Sequence, residues 1–128
     1  MLVKDAMSTR IVYVKQDATA AHAMKLMAEN NVRRLMVNID GTKGLYGAIT
    51  VRDMITKVLA TDHDPAKLKV ADIMNTNLIS VKSTDQLKDV AKLMDEKNVA
   101  GLPVIDGTAL VGIVTMWDAL IALGVPRK

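Results

Sequence analysis

Two stretches of this chain place a hydroxyl and a carboxylate at the same spacing: Thr50-Val51-Arg52-Asp53 and Thr115-Met116-Trp117-Asp118. Thr-x-x-Asp between a strand and a helix is a variant of the capping box. The Thr hydroxyl accepts from a free amide of the first turn, and the Asp favours the positive helix end. An ionised carboxylate is also acceptor-only, which suits a pair of vicinal hydroxyls such as a ribose presents. Both roles can coexist, because a capped carboxylate is held in place before any ligand arrives. Upstream of the motifs the two stretches differ in charge: Val32-Arg33-Arg34-Leu35 has Val99-Ala100-Gly101-Leu102 as its counterpart.

Other chemistry finds little support. His22 and His63 are the only histidines and Cys is absent, so no metal site and no thiol nucleophile are expected. Ser8, Ser80 and Ser83 lack a neighbouring base, and there is no Gly-x-Gly-x-x-Gly, phosphate loop or nucleophile elbow. Asp53 and Asp118 are copies of one another, so they belong to two sites rather than one catalytic pair. No enzyme is expected. The net charge of +3 is small and the Lys are dispersed, which argues against a nucleic-acid interface. No apolar run reaches membrane-spanning length, and Lys4 and Asp5 stand where a signal peptide needs apolar residues. The expectation is a soluble, cytoplasmic protein with no membrane insertion.

The elements that carry these motifs occur twice. Val3, Asp5 and Met7 answer to Val70, Asp72 and Met74 at an offset of 67, and fourteen of the thirty-five positions from 3 to 37 match their partners. Beyond them the offset is 65, pairing Gly47, Thr50 and Asp53 with Gly112, Thr115 and Asp118. Residues 11–14 and 78–81 read as short strands. Ala20, Ala23, Met24 and Met27 make one apolar helical stripe, as do Leu87, Val90, Ala91 and Met94. Asn31 and Asn98 stand where a helix ends in the left-handed conformation. Residues 34–39 with 45–50, and 102–105 with 110–115, read as hairpins, the second turning at Asp106-Gly107. Residues 51–60 and 117–123 read as closing helices. Each repeat is thus strand–helix–strand–strand–helix: 1–60, a linker at 61–69, then 70–124. About sixty residues bury too little surface to be comfortably stable alone. The expected architecture is α+β, two β-α-β-β-α repeats packed with pseudo-twofold symmetry and clefts where they meet.

The doubled pattern Val-x-Asp-x-Met, Asn-Val-x-x-Leu-x-Val and Gly-aliphatic-aliphatic-Thr-x-x-Asp resembles the cystathionine β-synthase (CBS) domain, whose tandem pair is the Bateman module. The resemblance implies a stand-alone sensor of an adenosine-containing ligand. AMP, ADP or ATP are the first candidates, and NAD and S-adenosylmethionine the next. It implies that Asp53 and Asp118 anchor ribose, that Thr50 and Thr115 support them, and that Arg33 or Arg34 meets phosphate. Ala100 and Gly101 hold the corresponding places in the second copy, so the two sites should be unequal. It points to Thr9, Ile11 and Val12, and to Thr76, Leu78 and Ile79, as adenine walls. It also implies a homodimer that signals to an effector protein. The rival expectation is a dimerisation or docking module with no nucleotide ligand.

Overall fold

The computed structural model describes residues 1–124. Its elements are α1 (Ala20–Asn30), β1 (Arg34–Asp40), β2 (Leu45–Thr50), α2 (Val51–Asp53), α3 (Val70–Ile73), α4 (Leu87–Lys97), β3 (Gly101–Asp106), β4 (Ala109–Thr115) and α5 (Met116–Ala122). The class is α+β. The Thr19 hydroxyl accepts from the His22 amide to start α1. Asn31 and Asn98 end α1 and α4 with φ of 53°, the left-handed conformation that Asn tolerates.

β1 pairs antiparallel with β2, and β3 with β4, as two separate two-stranded sheets. The second turn falls one residue later than its sequence signal. Asp106 pairs with Ala109, so Gly107 and Thr108 form the loop. Gly107 alone of these takes positive φ, at 64°, as the first central position of a type II′ turn requires. Its aspartate is thereby released for another contact, described below.

The two expected leading strands are single bridges. Tyr13 bridges Met36, and Val81 bridges Val104, both parallel. The bridges are also out of step between copies. The Met36 amide donates to the Val12 carbonyl at 2.9 Å, but its counterpart is Pro103, which has no N–H to give. The second copy therefore pairs one residue further on, through the Ile105 amide and the Val81 carbonyl at 2.8 Å.

The closing helices differ as well. After α2 the chain runs as a π-helix, Met54–Leu59, whereas α5 stays α-helical. The Thr56 hydroxyl donates to the Arg52 carbonyl and that of Thr61 to the Lys57 carbonyl. These side-chain bonds compete for carbonyls that an α-helix uses itself. In α5 the counterpart of Thr56 is Ile121, which has no hydroxyl.

Packing divides the chain along other lines than the repeat does. One unit is Val12–Leu78; the other joins Met1–Ile11 to the chain from Ile79 onward. Val70 and Ile73 of α3 belong to the core cluster of Val14, Leu35, Val37 and Ile49. Val3 belongs to the cluster of Val81, Val90, Met94, Val104 and Val114. Each Val-x-Asp-x-Met segment thus packs on the hairpin of the other repeat.

The glycines at the start of the Gly-aliphatic-aliphatic-Thr motif make room for this exchange. A Cβ at Gly47 would meet Met74 Sδ at 2.9 Å, and one at Gly112 would meet Met7 Sδ at 2.8 Å and the Ser8 carbonyl oxygen at 2.9 Å. A thioether can swing aside, but Ser8 is bridged to Ile113 by two backbone bonds of 2.8 and 2.9 Å. Gly112→Ala is therefore expected to cost about 1–3 kcal/mol, as overpacked sites do. Gly47→Ala should be close to neutral, since a strand glycine replaced by alanine recovers about 0.5–1 kcal/mol. Urea denaturation of the two variants measures the difference, and equal losses would refute the close-approach argument.

Candidate functional site

In the Val12–Leu78 unit the box closes as its spacing demands. Asp53 Oδ2 accepts from the Thr50 amide at 2.8 Å and from the Thr50 hydroxyl at 3.1 Å, and the Asp53 amide donates to that hydroxyl at 3.3 Å. The second oxygen, Oδ1, is paired with Lys57 Nζ at 3.0 Å, the aspartate side chain being 14% exposed. The same ammonium donates to the Ile73 carbonyl at 2.8 Å, where α3 ends.

In the other unit Asp118 Oδ2 accepts from the Thr115 amide and hydroxyl, both at 2.9 Å, and the Asp118 amide donates to the hydroxyl at 3.1 Å. Here the counterpart of Lys57 is Ala122, and Asp118 has no ion pair among the described residues. The two carboxylates are locked alike on Oδ2 and differ on Oδ1.

The remaining expected site residues divide between the units. Arg34 pairs with Thr50 across β1 and β2, and the Val51 amide donates to the Arg33 carbonyl, so both arginines stand beside the Asp53 box. Arg33 is exposed and Arg34 half-buried. Asn75 bridges Ala48 of β2, and the following Thr76 and Leu78 fall in that same unit, together with Val12. In the other unit Gly101 pairs with Thr115, and the Ala100 carbonyl accepts from the Met116 amide. Ser8 bridges Ile113 and leads into Thr9 and Ile11, while Ile79 lies two residues before the bridging Val81. Arg33 and Arg34 therefore share a unit with Asp53. The expected wall residues regroup, Val12 with Thr76 and Leu78, and Thr9 and Ile11 with Ile79.

Three contacts escaped the sequence reading. Lys57 carried a signal, since Asp and Lys four residues apart on a helix are neighbours. The packing of Met7 and Met74 on Gly112 and Gly47 had none, because local pattern does not name a distant partner. The third joins Ser83 to Asp106. The Ser83 hydroxyl donates to Asp106 Oδ2 at 2.6 Å and its amide to Oδ1 at 2.9 Å. The Ser83 hydroxyl first, then its amide, hold the Asp106 carboxyl below the usual carboxylate range. A lowered folded-state pKa gives stability that is complete above the ordinary aspartate value of about 3.9 and is lost as pH falls through the folded one. Wild type should therefore melt above Ser83→Ala at neutral pH, with the gap narrowing as pH falls below the ordinary aspartate value in thermal scans. A gap that is constant with pH would refute this. Elsewhere, burial and then the neighbouring Tyr46 raise the Tyr13 phenol above its usual value.

Among the described residues no cluster of three or more His, Cys, Asp or Glu could hold a metal ion, and no helix is long and apolar enough to cross a membrane. Comparison with known proteins finds a CBS-domain family model matching residues 3–60 and 70–125. The CBS domain-containing protein YhcV of Bacillus subtilis (strain 168) is 34% identical over 116 residues, 91% of this chain and 81% of that protein. Among solved structures, a hexameric CBS-CP12 protein from bloom-forming cyanobacteria superposes with a TM-score of 0.87 and 30% identity, covering 100% of this chain and 77% of the other. The CBS domain pair of protein MJ0100, in complex with 5′-methylthioadenosine and S-adenosyl-L-methionine, gives a TM-score of 0.82 and 31% identity over 97% of this chain and 96% of the other.

Proposed function

This chain belongs to the CBS-domain family, with two of its domains in tandem, and from that premise we propose that it is a regulatory module whose ligand carries an adenosine. The observation that carries the reading is the pair of Thr–Asp boxes. Each presents a carboxylate fixed on Oδ2 by backbone and hydroxyl, with Oδ1 outside the box. Such a preorganised acceptor suits the vicinal hydroxyls of ribose. The MJ0100 pair, with two adenosine compounds bound, supports the ligand class. Thr50 and Thr115 support the carboxylates. Arg33 and Arg34 favour phosphate in the Val12–Leu78 unit, which points to AMP, ADP or ATP there. Val12, Thr76 and Leu78 wall the adenine of that unit, and Thr9, Ile11 and Ile79 that of the other, beside Ala100 and Gly101.

Binding regulates only if two states of the module differ in affinity for the ligand. Val51, Ile55 and Leu59 form one exposed apolar stripe, and Met116 and Leu120 another beside Trp117, which is 57% exposed. We assign these stripes to self-association as a homodimer that passes the signal to an effector protein in the cytoplasm.

The test is direct. Small molecules released from the denatured protein are identified by mass spectrometry. Melting and light scattering are then followed with AMP, ADP, ATP, NAD, S-adenosylmethionine and 5′-methylthioadenosine. A true ligand at a hundred times its Kd adds about 2.7 kcal/mol, a rise in Tm of about 10 °C. A dimer that no adenosine compound stabilises would establish the docking reading instead, and a monomer would remove the stripes from it.

A further inference from the structure

Each Asp oxygen has about two lone-pair positions for donors. On Asp53 and Asp118 alike, Oδ2 is filled by the amide and hydroxyl of its Thr. What remains for a diol is Oδ1. On Asp118 both positions of Oδ1 are open among the described residues, while on Asp53 one is taken by Lys57 at 3.0 Å. Two vicinal hydroxyls can therefore be met at Asp118 as it stands, but at Asp53 only after Lys57 has let go.

Letting go strips the ammonium of its counter-ion and leaves it the Ile73 carbonyl and solvent, its side chain being 43% exposed. A neutral nucleoside offers nothing in exchange, and a sulfonium would meet like charge. A phosphate attached to the same sugar supplies a new anionic partner, so Lys57 can change hands between carboxylate and ligand. The surroundings agree with this direction. Arg33, Arg34, Arg52 and Lys57 in the first copy have Ala100, Gly101, Trp117 and Ala122 as counterparts, so four positive positions become four uncharged ones. Arg10 is the cation in the segment following Ser8 in the second unit, and it is not a free one.

We propose that Lys57 acts as an exchangeable counter-ion that reserves Asp53 for phosphate-bearing adenosine ligands, and that Ala122 leaves Asp118 to adenosine compounds without phosphate. The assignment rests on the adenosine-binding reading above. AMP and 5′-methylthioadenosine are the probes, titrated calorimetrically into the full chain. The Asp53 site is read in an Asp118→Asn background and the Asp118 site in Asp53→Asn, each variant checked for a wild-type circular dichroism spectrum.

The Asp53 site should favour AMP over 5′-methylthioadenosine, and Lys57→Met should cut that preference about tenfold, the equivalent of one charge-assisted hydrogen bond. Ala122→Lys should move the Asp118 site towards AMP by a similar factor. A preference unchanged by both substitutions in folded protein overturns the counter-ion role while leaving adenosine binding intact. Failure of wild type to bind either probe overturns both readings together.

Discussion

Removal of residues 1–7 is expected to unfold β3, β4 and α4 while leaving β1 and β2 folded, although the deleted residues belong to the first repeat. Val3 is fully buried among Val81, Leu87, Val90, Met94, Leu102, Val104 and Val114. Its amide donates to the Asp85 carbonyl and that of Lys4 to Ser83, both at 2.9 Å. Burying a valine is worth about 1.5–3 kcal/mol and each hydrogen bond about 0.5–1.5. The Met7 contact on Gly112 goes as well. Against a total stability of about 5–15 kcal/mol, this loss takes a large share from one unit. Hydrogen exchange resolves the two. Amides of β3 and β4 should lose protection, while the Met36 and Ala48 amides keep theirs. Val3→Asp should give the same pattern without shortening the chain. Loss confined to β1 and β2 would mean that the segment packs on its own repeat.

Replacing Asp118 by Ala should weaken 5′-methylthioadenosine binding by about 10- to 150-fold, the worth of one hydrogen bond to a charged group at 1.5–3 kcal/mol. The same substitution removes the acceptor for the Thr115 amide and hydroxyl, so unliganded protein should also lose about 1 kcal/mol. Thr115→Val separates the two effects. It deletes the hydroxyl that caps the Asp118 amide and keeps the carboxylate, so stability should fall with a smaller change in affinity. Asp53→Ala should act on AMP in the same way. Titration calorimetry and thermal melting measure both quantities on each variant. Full ligand affinity in both Asp variants would remove the carboxylates from the site.

Much of this arrangement could be read from residue patterns, because it is local. The Asn31 and Asn98 caps, both hairpins and the two Thr–Asp boxes depend on residues at most a few positions apart or on one short turn. What escaped was long-range or competitive. The repeat pairs Val3 with Val70 but does not say which hairpin covers each, and the answer is that of the other repeat. Residues 11–14 and 78–81 have strand composition, yet each makes only one bridge, and Pro103 shifts the second one along. Asp106-Gly107 carries the turn signal, but Asp106 pairs with Ala109 and bonds Ser83, and Gly107-Thr108 makes the turn. Thr56 altered a helix that its counterpart Ile121 leaves regular.

The division of the chain also sets an order of events during synthesis. Every residue of the Val12–Leu78 unit has been made by the time Leu78 is added, so that unit can close while the remainder is still being translated. Residues 1–11 emerge before that unit, but their partners in β3 and β4 appear only after it. At elongation rates of about 5–20 residues per second, Val3 and Met7 wait several seconds with their apolar side chains uncovered. Residues 1–11 are made before the Val12–Leu78 unit but covered after it.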